Sequence, residues 1–189
     1  MQVSSGPISA IEAVGYGPSA LPPSRVVIVG CGNLLRGDDG VGPVLIRELF
    51  DSGLPSDVTL VDGGTAGMDV AFKMRGATEA ILIDASSTGS PPGTIFKIPG
   101  EEVENLPPLE GIHSHAFRWD HSLALAHWML GEEFPAKVTV FLIEAENLGI
   151  GEPLSVAVTA AKDQLRAMIL GEVGDDDTQA SSGQAAQGD

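Results

Sequence analysis

The chain has 189 residues, enough for one domain of ordinary size and too few for two unless both are very small. Its residues are 43% hydrophobic and 19% charged, and the apolar ones fall in discrete runs, which is the pattern of a folding chain rather than a disordered one. With 26 Asp plus Glu against 10 Lys plus Arg, the net charge of minus 16 repels phosphate backbones and anionic lipid, which argues against nucleic acid and membrane surfaces as partners.

Cys31 is the single cysteine, so an internal disulfide and a four-cysteine metal site are both excluded, and a reducing cytoplasm is the expected compartment. Residues 1–24 are rich in Ser, Gly, Pro and Ala and lack both a basic segment and a continuous apolar stretch. We read them as a flexible leader. No apolar run elsewhere approaches the roughly 20 residues that span a bilayer.

Val26, Val27, Ile28 and Val29 form a β-branched run stopped by glycine, as a strand buried on both faces reads. After a Gly-rich loop, Pro43 suits the first turn of a helix that ends before Gly53. Residues 58–61 are expected as the second strand, 68–75 as a short helix closed by Gly76, and 80–83 as the third strand. Residues 94–98 follow a Pro-Pro-Gly turn and are expected as a fourth, antiparallel strand, because so short a link leaves no room for a helical crossover. Trp119, Leu123, Ala126 and Leu130 share one stripe of a helix over 117–130, and residues 138–143 are the fifth strand. A last helix starts at Pro153 and is expected to bury Val158, Ala161, Leu165 and Met168. From residue 172 on, acids and small polar residues predict a disordered acidic tail, so the folded unit is 25–171. Strands alternating with helices predict an α/β fold: a three-layer, mainly parallel, five-stranded twisted sheet with helices on both faces.

In such sheets ligands bind beyond the carboxyl ends of the strands. The segments there are Gly30 to Asn33 with Asp38 and Asp39, then Asp62 to Gly67, then Asp84, with His113 and His115 in a later loop. Parallel strands bring Asp39 and Asp84 to one edge, and an imidazole can join them from that loop. Two carboxylates and a neutral imidazole suit nickel, zinc or manganese and leave coordination positions open. The plainer readings are that Asp38 or Asp39 caps the following helix, that Asp62 and Asp84 form turns, and that the histidines are satisfied surface residues. The run Gly30-Cys31-Gly32 matches the dinucleotide fingerprint poorly, since Leu35 stands where the third small residue belongs. Cys31 between glycines reads as structural rather than nucleophilic.

The run from Val27 to Gly42, with Gly-Asn-Leu-Leu-Arg-Gly-Asp-Asp-Gly at its centre, resembles the opening signature of the maturation endopeptidases of nickel-iron hydrogenases. Val61-Asp-Gly-Gly-Thr-Ala-Gly-Met68 resembles their second signature, and Ile83-Asp84-Ala85 with Pro92-Gly93-Thr94 their third. Such enzymes remove a carboxy-terminal peptide from the hydrogenase large subunit after nickel insertion. The resemblance implies Asp39, Asp84 and His115 as catalytic residues contacting the substrate's nickel, with His113 the second choice and His121 the third. It implies a hydrogenase large-subunit precursor as partner and nickel that arrives with the substrate rather than bound tightly by the free enzyme. Gly63, Gly64, Thr65 and Gly67 are candidates for contact with the substrate backbone. Two departures from the family pattern stand out: Asp39 occupies a position where relatives often carry Glu, and the segment from His113 to His121 lacks the expected Gly-Leu. Readings of a different class are a non-catalytic nickel-delivery protein and a nucleotide-binding α/β protein.

Overall fold

The computed structural model describes the backbone of residues 24–65, 70, 72–104 and 119–184. The leader up to residue 23, Gly67, His113 and His115 lie outside the described residues.

Five strands form one sheet: β1 (Val26–Cys31), β2 (Val58–Gly64), β3 (Glu79–Ser86), β4 (Ile95–Pro99) and β5 (Lys137–Glu144), in the order β2-β1-β3-β5-β4. All neighbours pair in parallel except β4, which runs antiparallel to β5, as the short link after β3 requires. Every residue of β1 is buried, because it lies centrally and helices cover both its faces. On one face, Val26, Ile28, Ile81, Ile83, Phe141 and Ile143 pack against α1 (Val41–Phe50) and the long C-terminal helix. On the other, Val27, Val29, Leu82 and Val140 meet Val70, Met74, the short helix α2 (Gly100–Glu104) through Val103, and α3 (Trp119–Leu130) through Leu123 and Ala126. The three layers expected from the alternation are those observed.

Two helices differ from expectation. The last, α4 (Val156–Gln184), begins beyond Pro153 because Ser155 caps it, its hydroxyl accepting the Val158 N–H at 3.2 Å. Its buried stripe is Val158, Ala161, Leu165, Ile169 and Val173, so Ile169 takes the inward place assigned to Met168, which is 38% exposed. Those positions keep the 3.6-residue period, and Met168 lies one step off it. The helix also continues into the segment read as a disordered tail. Val173 is buried against the sheet, and α4 runs to Gln184. Part of the short helix expected over 68–75 lies outside the described residues, and Val70, Phe72 and Lys73 are helical. The single turn α2 carries no period that a sequence pattern could reveal.

Candidate active site

The sheet register decides which loops meet. Gly30 of β1 pairs with Asp62 of β2 on one side and Ile83 of β3 on the other, so Asp62 and Asp84 flank the end of β1. The chain then turns at Gly32, whose φ of 127° favours glycine. A Cβ on Gly32 would lie 1.8 Å from the Asp39 carbonyl oxygen and 3.5 Å from Asp84 Oδ1. Gly32 is therefore the gap that lets the Asp39 turn settle beside the Asp84 carboxylate. Asp39 and Asp84 do come to one edge of the sheet, as the strand order demands.

Asp39 is half-buried in a 3-10 turn, Gly37–Gly40, and its carboxylate accepts the Asn33 N–H at 3.2 Å. The same N–H also reaches the Asp39 carbonyl at 3.1 Å. Asp84, half-buried at the end of β3, accepts its neighbour Ala85 N–H at 2.8 Å. Neither Asp38 nor Asp39 caps α1, whose N-cap is Gly40 and which has no side-chain cap. Asp38 instead is fully buried and accepts three backbone N–H groups from the far side of the chain. These are Glu146 at 2.8 Å, Asn147 at 2.9 Å and Ser155 at 2.6 Å. Its own N–H donates to the Asn147 carbonyl at 2.8 Å. The first loop is thus tied to the loop between β5 and α4, and Asp38 is the tie.

A second buried carboxylate, Glu144 at the end of β5, holds the loop that follows Asp84. It accepts the Ser86 and Thr88 hydroxyls at 2.9 Å each and the Thr88 and Gly89 N–H groups at 2.7 Å each. Burial pushes its pKa up, but these four donors outweigh burial and hold it below the usual carboxylate range. The sequence offered no sign of this residue, since an acid one step past an apolar run looks like the first residue of a loop.

An open cleft of about 270 Å³ lies over this edge, lined by Gly32, Asn33, Leu34, Pro43, Asp62, Gly64 and Thr65. Of the residues proposed for backbone contact, Gly64 and Thr65 line it. Gly63 does not: a Cβ there would meet Val29 at 2.9 Å and Val70 at 3.2 Å, so this glycine serves core packing. Asp62, which the sequence left as a turn former, faces the cleft while also accepting the Gly64 N–H at 3.1 Å. Beneath it Cys31 is buried, and its thiol pKa is raised first by burial and then by the charges of Asp84 and Asp62. That thiol stays protonated and is no nucleophile. The Asp62 carboxylate on the cleft wall favours a cation there over a phosphate.

Dinucleotide binding finds no support in the glycines either. A Cβ on Gly30 would meet the Gly42 carbonyl oxygen at 2.3 Å, and one on Gly42 would meet the Cys31 carbonyl oxygen at 2.3 Å. This pair lets α1 lie directly on β1, and it leaves no cradle for a pyrophosphate. Among the described residues no three His, Cys, Asp or Glu side chains form a group that could hold a metal. The imidazole proposed as third donor lies outside the described residues, and His127 stacks on Phe134 at 4.5 Å, ahead of the amino end of β5 and so at the opposite edge of the sheet. Among the described residues no helix is long and apolar enough to cross a membrane.

A family model described as HycI, hydrogenase maturation protease, matches residues 43–172. The chain belongs to the hydrogenase maturation protease family. The hydrogenase 2 maturation protease of Escherichia coli is 29% identical over 151 residues, spanning 77% of this chain and 90% of that one. Among solved structures, the hydrogenase maturating endopeptidase HybD from Escherichia coli is similar with a TM-score of 0.67 at 26% identity, covering 80% of this chain and 93% of that one. The NiFe hydrogenase maturation protease HybD from Thermococcus kodakarensis gives 0.63 at 28% identity, covering 79% and 99%. This hydrogenase maturation protease is accordingly a hydrolase, and its mostly parallel sheet with one antiparallel pair is the family's fold. The matched span takes in Asp62 and Asp84 and begins just after Asp39. In this protease the Asp38 tie to residues 146, 147 and 155 anchors the Asp39 turn to that span.

Proposed function

We propose that this protease removes the carboxy-terminal extension of a nickel-iron hydrogenase large-subunit precursor once nickel has been inserted, and does so in the cytoplasm. The observation that carries the reading is that the Asp39 turn and the Asp84 carboxylate come to one edge of the sheet around Gly32, beside an open cleft that Gly32 and Asp62 line. Nickel belongs to the substrate in this scheme. Asp39 and Asp84, together with His115, would contact it and orient the scissile peptide over the cleft. The nickel or an adjacent carboxylate would activate a water molecule, which would add to the polarised scissile carbonyl as the C–N bond breaks and the departing amine takes up a proton. Carboxylate oxygens and one imidazole leave coordination positions free for the substrate's own groups, which suits a metal that is met rather than stored.

The test is mass spectrometry of a nickel-loaded large-subunit precursor incubated with wild type and with Asp39→Asn. Wild type should shorten the nickel-loaded precursor and leave the nickel-free form intact. Asp39→Asn should leave both full length. Equal shortening by wild type and variant, or no shortening by wild type, would refute the reading; tight nickel retention by the uncut wild-type mixture would point instead to metal delivery.

A further inference from the structure

The two loops that Asp38 joins carry a feature that neither the fold nor the acids require. Leu34 is 39% exposed, Leu35 70% and Ile150 85%. Leu34 and Leu35 precede the Asp39 turn, and Ile150 lies in the loop between β5 and α4. The Gly151 N–H donates to the Leu35 carbonyl at 2.8 Å, so Leu35 and Ile150 sit on adjoining backbone. Leu34 itself lines the cleft beside Asp62, Gly64 and Thr65. The patch is thus continuous with the site rather than an isolated surface residue.

These side chains are also held outward. Leu35 N–H donates to Asn33 Oδ1 at 2.9 Å, Arg36 N–H to the Asn33 carbonyl at 3.0 Å, and Gly149 N–H to Asn147 Oδ1 at 2.8 Å. A Cβ on Gly37 would come within 2.6 Å of the Asn147 carbonyl oxygen, so the two loops touch backbone to backbone. With both loops pinned this way and anchored by buried Asp38, the aliphatic groups have no route back into the core. A chain of charge minus 16 has ample polar residues for such positions, and a rigid apolar rim on a cleft is the mark of a surface that something covers.

We infer that Leu34, Leu35 and Ile150 form an apolar subsite that grips the precursor polypeptide next to the bond to be cut, through aliphatic side chains of the substrate. This rests on the function proposed above and adds to it a division of labour. The acids act on the metal-bearing end of the substrate, and the rim supplies binding to the adjoining segment that is independent of the metal. Interaction energy of this kind, equal in the bound and transition states, appears in KM and not in kcat.

Steady-state cleavage of the nickel-loaded precursor tests this with Leu35→Ser, Ile150→Ser and the double variant. Each single change should raise KM about fivefold or more and the double about thirtyfold, with kcat within a factor of two, from the burial each aliphatic group loses. Leu35→Met and Ile150→Leu should keep the wild-type KM. Phe50→Ser, a control 78% exposed at the far end of α1, should behave as wild type. An unchanged KM in the double variant, while wild type cuts normally, would overturn the subsite and leave the proposed function standing. A fall in kcat alone would overturn it too, since that would place the residues in the chemistry. Failure of wild type to cut would remove the function itself and the subsite with it.

Discussion

Asp38 and Asp39 are neighbours with the same side chain, and their surroundings give them opposite work. Asp39 is left half-exposed with one backbone donor on its carboxylate, free to meet a ligand. Asp38 is fully buried with three donors and spends its charge on the protein. Hydrogen bonds to a charged acceptor are the strong class, and losing the acceptor strands N–H groups away from water. Asp38→Ala should therefore destabilise the fold by roughly 3 kcal/mol, read by chemical denaturation. It should also lower kcat in the folded protein by more than tenfold, since the Asp39 turn loses its anchor. Leu165→Ala, a core truncation of similar cost placed on α4 away from the cleft, separates the two effects. If both variants cleave at the wild-type kcat when folded, Asp38 is structural only and does not position Asp39.

At the level of elements, the end of β5 is where the site is assembled. Glu144 reaches one way to hold the loop after Asp84, and residues 146 and 147 reach the other way to hold the loop that bears Asp39. Its folded-state pKa is depressed, so the stability it supplies is present above the ordinary Glu value and is lost as pH falls through the lower folded value. Glu144→Gln should then cost about 2 kcal/mol at pH 7, on the scale of one or two charge-assisted hydrogen bonds. The gap between variant and wild type should close as pH falls through that lower value. A gap of constant size across that range would mean that the carboxylate charge contributes nothing and only the side chain's shape matters.

The same element shows what a sequence can and cannot disclose. The five strands and their direction were readable because β-branched runs, glycine stops and connection lengths are local signals, and strand order alone brought the loop of Asp38 and Asp39 to the same edge as Asp84. Glu144 was not readable, because burial of an acid depends on donors such as Ser86 and Thr88 that lie in another loop. Asp38 could be distinguished from Asp39 only by partners more than a hundred residues on. Ile169 rather than Met168 faces inward because it lies three turns, roughly 11 residues, beyond Val158, whereas Met168 falls at the edge of the stripe. Asp38 and Glu144 escaped prediction because their partners lie far away in sequence.

For the whole molecule the deciding quantity is the charge of minus 16, set against the ion pairs of the described residues. Arg25–Asp57 at 2.8 Å, Arg75–Glu133 at 2.6 Å, Lys97–Glu172 at 2.5 Å and Lys137–Glu79 at 2.6 Å each have at least one side chain open to solvent, and pairs of that kind contribute about 1 kcal/mol each or less. Lys162 is the exception, a buried ammonium. Burial lowers its pKa, and the partners Asp163 at 2.7 Å and Glu48 at 2.5 Å more than reverse that, so it stays charged. Salt weakens the exposed pairs, which costs stability, and also screens the general repulsion among acids, which gains it. At a Debye length of about 10 Å in 0.1 M salt the long-range repulsion is the part cut most, because the pairs are in contact. Repulsion should win here. Raising sodium chloride from about 0.02 M to 0.3 M at pH 7 should lift Tm by roughly 2–4 °C, the shift expected for about 1 kcal/mol in a chain of this size. A Tm that falls over the same range, followed by differential scanning calorimetry, would mean that the ion pairs outweigh the surplus of acid.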